Sequence, residues 1–201
     1  MRVITDRIGI IGGSELGFAL ARTLARAGIE PVLASGDWDQ CGGLGADASG
    51  SAAAATPAKA AEQEIVLLTP PWLQVAEVLS AIPDWEGRIL VDATDPISAE
   101  LAAADLHGRT SSEVVSEFAP GAQLVKAFNT LPPRIIEADP RQAGGRRVIF
   151  FCGDHVRAKR EVAGLIARLG FAGVDLGSLV GGGKLQCADG PFGGLNLIRI
   201  E

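Results

Sequence analysis

Apolar runs of four to seven residues recur along the chain, with helical patterns between them. They read RIGII at 7–11, PVLA at 31–34, EIVLLT at 64–69, RILVDAT at 88–94, QLVKAF at 123–128, RVIFFC at 147–152 and AGVDL at 172–176. Nearly every position in these runs is apolar, as in strands covered on both faces. Between them, apolar residues spaced three and four apart predict helices over 15–27, 72–82 and 156–169, with Val75, Val78 and Leu79 as the buried face of the second. Gly28 and Gly170 close the first and third of these helices. The alternation predicts an α/β fold with a doubly wound, mainly parallel sheet.

The pattern weakens at 36–55, GDWDQCGGLGADASGSAAAA, where five glycines make a regular helix costly at roughly 1 kcal/mol each. This stretch reads as a loop with one irregular helical turn, followed by a short strand near 52–55. Thr56 and Pro57 suit the N-cap and first position of a short helix. Residues 1–130 are expected to form the core, and 131–201 a C-terminal extension packed on it. Gly181, Gly182 and Gly183 read as a flexible loop over the site.

Chemistry concentrates first where the RIGII run meets its helix. A G-x-G-x-x-G turn at this place binds the pyrophosphate of a dinucleotide, and each glycine has its own task. Here the three positions are Gly12, Ser14 and Gly17. Gly12 can make the tight turn and Gly17 the close helix–sheet approach. Ser14 replaces the glycine that clears room for the pyrophosphate over the helix N-terminus. Its hydroxyl can bond a phosphate oxygen or cap the helix, and Gly13 beside it lends backbone freedom. The alternative is a glycine-rich turn with a capping serine that binds nothing.

After the second run the chain reads Ala34-Ser35-Gly36-Asp37-Trp38-Asp39, with no Lys or Arg from Pro31 to Ala58. Two carboxylates would repel a 2′-phosphate, so this segment by itself favours NAD over NADP, unless it is only a solvated acidic loop.

Composition narrows the chemistry. A net charge of −6 without any basic stripe argues against a nucleic-acid partner. No apolar run approaches the about 18 residues of a membrane span, and no cleavage pattern follows the N-terminus. A soluble cytoplasmic protein is expected. Cys41, Cys152 and Cys187 are scattered and form no CxxC, so neither a metal site nor a disulfide framework is expected. The chain has no tyrosine, which excludes a Tyr-Lys dehydrogenase. His107 and His155 read as surface residues, and Cys152 as a small buried hydrophobe. Lys126 either faces a ligand or ends its strand with a solvated tip. Trp72 either stacks on a cofactor ring or opens the core face of its helix. Asp92 and Asp95 read as loop-capping residues.

Several stretches together resemble the NADPH-dependent F420 reductase family, which includes the N-terminal oxidoreductase domain of the STEAP metalloreductases. They are IGIIGGSELGFALARTLARAG, LLTPPWLQVAEVL, ILVDATDPI, VVSEFAPGAQLVKAFNT, VIFFCGDHVRAK and DGPFGGLNLIR. The resemblance implies a Rossmann domain that passes hydride between NAD(P)H and a flavin or deazaflavin, F420-like, acceptor. Carried over by position, Gly12, Gly13, Ser14, Glu15, Leu16 and Gly17 would hold the pyrophosphate, and Ser35 and Gly36 the ribose. Thr69, Pro70, Pro71 and Trp72 would border the nicotinamide. Thr94, Asp95 and Pro96, with Phe128, Asn129 and Thr130, would line the pocket at the strand ends. The resemblance also implies a small-molecule acceptor as partner and a homodimer.

This chain departs from the family at Ser14 (typically Gly), Gly36 (typically Arg) and Asp95 (typically Asn). The first two departures leave open a changed cofactor preference or a non-catalytic dinucleotide-binding module. An NAD-linked reductase of a small carbonyl or imine is the remaining alternative.

Overall fold

A computed structural model describes residues 6–35, 53–82, 84–96 and 106–200 of the protein. Their strands and helices alternate. Strand β1 (Arg7–Ile11) leads into α1 (Glu15–Arg26), then β2 (Glu30–Ala34) and β3 (Ala53–Ala54). Helix α2 (Pro57–Ala61) precedes β4 (Ile65–Leu68), and a 3-10 turn (Trp72–Gln74) opens α3 (Val75–Ser80). There follow β5 (Ile89–Asp92), α4 (Ser111–Phe118), β6 (Gln123–Ala127), α5 (Pro133–Glu137) and β7 (Arg141–Gln142). The chain closes with β8 (Gly145–Gly153), α6 (Val156–Arg168), β9 (Ala172–Asp175), α7 (Leu179–Gln186) and β10 (Ile198–Ile200).

The sheet runs in the order β10-β8-β6-β5-β4-β1-β2-β3, with β7 and β9 also bonded to β8. From β3 to β6 every neighbouring pair is parallel. Strand direction along the chain explains the near-continuous apolar runs. In β1, Ile8 and Ile10 pack with Leu20 and Leu24 of α1 and Val162, Leu165 and Ile166 of α6. Ile11 packs on the opposite face with Ala60 of α2, Val75 and Leu79 of α3 and Val115 of α4. The same alternation sends Ile65, Leu67, Ile89, Val91, Val125 and Ala127 to the first face and Val66, Leu68, Leu90 and Leu124 to the second. Both faces are therefore dry, and a polar side chain on either one must find its partner inside the protein.

Three expectations need correction. The run at 147–152 lies in a strand that is antiparallel to β6, with Val125 opposite Gly153 and Ala127 opposite Phe151. A parallel return would need a crossover of a dozen or more residues that carries the chain back along the sheet. The segment before β8 instead holds five-residue α5, which docks on α1 through buried Ile136 and the Arg22–Glu137 ion pair. The first part of β8 thus projects beyond the carboxyl end of β6.

The helix expected at 72–82 is a 3-10 turn followed by six residues of α-helix. The glycines 181–183 lie within α7 and do not form a loop. A Cβ at Gly182 would collide with Cys152 on β8 and come within 2.9 Å of Leu176, and one at Gly183 would press on Thr110 at 3.2–3.5 Å. The missing side chains let this helix lie against the sheet, and contact there outweighs poor helix propensity. Among the described residues no helix is long and apolar enough to cross a membrane.

Candidate functional site

The turn after β1 is tied to its neighbours through backbone bonds. Gly12 N donates to Ala34 O at 2.9 Å and Thr69 N to Ile11 O at 2.8 Å. Gly12 has φ +119°, and a Cβ there would strike the backbone of Thr69 and Pro70. Only glycine meets both conditions. A Cβ at Gly17 would overlap Gly12 O and lie 2.7 Å from Thr69 Oγ1. A Cβ at Gly13 would overlap the hydroxyl of Ser35, which places Ser35 against the turn.

Ser14 is the N-cap of α1, and its hydroxyl accepts from Gly17 N at 3.2 Å. Of the two roles open to this hydroxyl, the structure shows the capping one. The helix start still presents N–H groups at Glu15 and Leu16 that no carbonyl within the helix can reach, together with the positive end of the dipole. This backbone-walled cradle at a helix N-terminus fits a pyrophosphate. Exposed Glu15 adds a negative charge in the same first turn.

Thr69 is buried, and its hydroxyl donates to Gly12 O at 3.0 Å, so it fastens the turn. Pro70 is buried, Pro71 exposed, and Trp72 is half-buried against the second core face. Gly36, like Asp37 and Asp39, lies outside the described residues.

The carboxyl ends of β5 and β6 hold a buried polar cluster. Parallel register sets Asp92 beside Lys126, on the face shared with Leu90 and Leu124. Lys126 Nζ donates to Asp92 Oδ2 at 3.3 Å, to Thr94 O at 2.9 Å and to Ser111 Oγ at 3.1 Å, and is wholly buried. Asp92 also accepts from Thr94 N, Thr94 Oγ1 and Ser112 Oγ. Every donor of Lys126 thus has a partner, which is how an ammonium survives burial. Both sequence-level roles for Lys126 give way to a third, an internal ion that braces the Thr94 backbone. The capping part foreseen for Asp92 is present in its bonds to Thr94.

Just beyond this cluster, Asp95 is half-buried and accepts from Asn129 Nδ2 at 3.0 Å. Asn129 Nδ2 also donates to Gln186 O at 2.6 Å, which ties the end of α7 to the mouth. Burial pushes the Asp95 carboxyl up to about 6, with Lys126 and Asn129 pulling it down and Asp92 and Asp189 pushing it further up. Gln186 Nε2 reaches Lys126 O at 3.3 Å and Cys152 Sγ at 3.1 Å, and burial raises that thiol to about 11.

Of the residues expected at this mouth, Thr94, Phe128 and Thr130 turn inward, while Asp95, Pro96 and Asn129 keep part of their surface. Phe128 has φ +67°, a strained conformation for a bulky residue, held by its place in the first core. Gln186, Ser111 and Ser112 were not foreseen. The T-S-S-E box at 110–113 announces α4 and hence the two serines. Nothing local announces Gln186.

His107 and His155 are exposed, and His155 sits at the N-cap of α6.

A doubly wound sheet with a glycine turn between its first strand and helix defines the dinucleotide-binding class of Rossmann folds. Within that class, residues 7–96 match the model of the oxidoreductase family described as NADP oxidoreductase, coenzyme F420-dependent. A solved structure from Sinorhizobium meliloti, described only as a hypothetical protein, is 39% identical with a TM-score of 0.89 and 94% of each chain covered. A candidate F420-dependent NADP reductase from Arthrobacter sp. FB24 shares the fold at 24% identity and a TM-score of 0.68, over 86% of this chain and 84% of that one. The rat metalloreductase STEAP3 is 27% identical over 187 residues, 90% of this chain. The chain spans 36% of the length of that relative.

Proposed function

We propose that the protein binds NADP(H) across the carboxyl edge of its sheet and passes hydride between the nicotinamide and a flavin or 5-deazaflavin ring. The observation that carries this reading is the cradle at Gly12–Gly17, where Gly12 and Gly17 are required by contacts that a Cβ would destroy. The family match over residues 7–96 supports the NADP form. The bound nucleotide supplies or takes up the hydride, and the protein supplies position and field.

The residues divide that work. Glu15 and Leu16 offer backbone N–H groups to the pyrophosphate, and the α1 dipole favours its charge. Thr69 holds the turn to the start of the β4 mouth. Lys126 and Asp92 hold the Thr94 backbone, so the floor of the nicotinamide half does not depend on solvent. Ring-to-ring hydride transfer asks for stacking and distance control, which a rigid strand-end floor provides.

Parallel calorimetric titrations with NADPH and NADH test the nucleotide, and hydride transfer to F420 or free flavin tests the acceptor. NADPH should bind more tightly than NADH, and NADPH oxidation should require one of these ring acceptors. Binding of neither nucleotide would overturn the proposal. Binding without turnover on any ring acceptor would leave a nucleotide-binding module.

A further inference from the structure

Asp95 stands at the mouth of β5, on the opposite side of the switch point from β2. Strand order reverses between β1 and β4. A dinucleotide spanning that crevice lays its adenosine half towards β2 and its nicotinamide half towards β4 and β5. Asp95 is therefore a carboxyl group in the nicotinamide half, and it keeps part of its surface at the mouth.

Among the described residues, none supplies a cation that Asp95 has to itself. Lys126 faces it from β6, but that ammonium is already engaged by Asp92, Thr94 O and Ser111. Asp92 from β5 and Asp189 from the segment after α7 both repel it. Cys187, from the same segment, has a thiol that burial first, then Asp189 and Asp95, push up. Among the described residues, the donor bonded to Asp95 is the neutral amide of Asn129. The second hydrogen of that amide is taken by Gln186 O, so the amide that faces the carboxyl is held in place.

We propose that Asp95 reads the charge of the nicotinamide: ionised, it favours the oxidised, cationic ring over the reduced, neutral one, so that preference for the oxidised nucleotide rises with pH. The inference rests on the nucleotide-binding reading above. The sign follows from Coulomb's law, since a carboxylate attracts a ring cation and a neutral carboxyl does not. The carboxyl, held at about 6 by burial, changes charge within the range in which the protein can be titrated. By linkage, the oxidised nucleotide must release protons from Asp95 as it binds, whereas the reduced one need not.

The test is the ratio of affinities for NADP+ and NADPH, measured by calorimetry on the full chain from pH 5.5 to pH 8. The 2′-phosphate is common to both nucleotides, so its titration cancels in the ratio. The ratio should rise roughly threefold towards the oxidised form, approaching the about fivefold limit of one charge pair some 4 Å apart in water. In Asp95→Asn, which keeps an acceptor for Asn129, the ratio should stay flat. Titrations near pH 6 in buffers of different ionisation enthalpy should show proton release on NADP+ binding in the natural chain only.

A flat ratio in the natural chain would overturn this inference and leave nucleotide binding intact. An equal rise in Asp95→Asn would assign the effect to another group and overturn it as well. Failure of both nucleotides to bind would overturn this inference together with the reading beneath it.

Discussion

Lys126 and Asp92 form an ion pair at 3.3 Å with neither side chain exposed to solvent. The pair joins adjacent strands at their carboxyl ends, and through Thr94 it sets the floor of the candidate site. Replacing Lys126 by Met would leave the Asp92 carboxylate buried without its counter-charge. Urea unfolding at neutral pH should show a loss of about 3–5 kcal/mol. Adding Asp92→Asn to Lys126→Met should cost less than the sum of the two single changes, because the pair is lost only once.

The β1–α1 turn should not tolerate a methyl group. Gly12→Ala forces an L side chain into φ +119° and against the Pro70 backbone. We expect roughly 2–5 kcal/mol of destabilisation from strain and overlap together. NADPH affinity should fall at least about tenfold because the pyrophosphate cradle must shift. Calorimetry on the folded fraction separates the two effects.

Asp95 should make the protein less stable as pH rises. Its carboxyl is lifted from 3.8 to about 6 in the folded state, so between these values the folded protein binds more protons than the unfolded chain. The stabilising contribution is fully present below about pH 4 and is lost as pH rises through about 6. Asp95→Asn should therefore stabilise the protein at pH 7.5, by up to about 3 kcal/mol, and have little effect near pH 4. Unfolding curves at the two pH values check the sign.

The glycines of α7 should respond unequally to alanine. Gly182 faces Cys152 and Leu176 at overlapping distance, so Gly182→Ala should cost about 1–3 kcal/mol although alanine is the better helix former. Gly181 is exposed, and its nearest neighbour would be the Ser178 hydroxyl at 3.2 Å. Gly181→Ala should be neutral or stabilise by up to about 1 kcal/mol. Thermal melts of the two variants side by side would show whether packing or propensity rules this helix.

The sequence by itself determined the features that depend on near neighbours in the chain. Apolar strands with intervening helices implied a sheet covered on both sides, and the structure has one. The turn at Gly12–Gly17 was legible because the strand, the glycines and the capping serine all lie within a few residues. The closing glycines at 28 and 170 were legible for the same reason, and both have positive φ.

Tertiary structure decided what happens between distant segments. The partner of Lys126 lies 34 residues earlier, and only parallel register with β5 brings Asp92 beside it. Strand β8 is antiparallel to β6 because the segment before it docks on α1 instead of crossing the sheet. Position 182 must be glycine because Cys152 and Leu176 leave no room for a side chain where α7 lies on the sheet, a constraint invisible in a glycine run read alone. Asp95 carries its raised carboxyl because strand ends, α7 and the following segment close around it. Local pattern chooses the elements since it acts over one turn or one strand. Burial and charge act through space, so the chemistry of the mouth exists only once those elements meet.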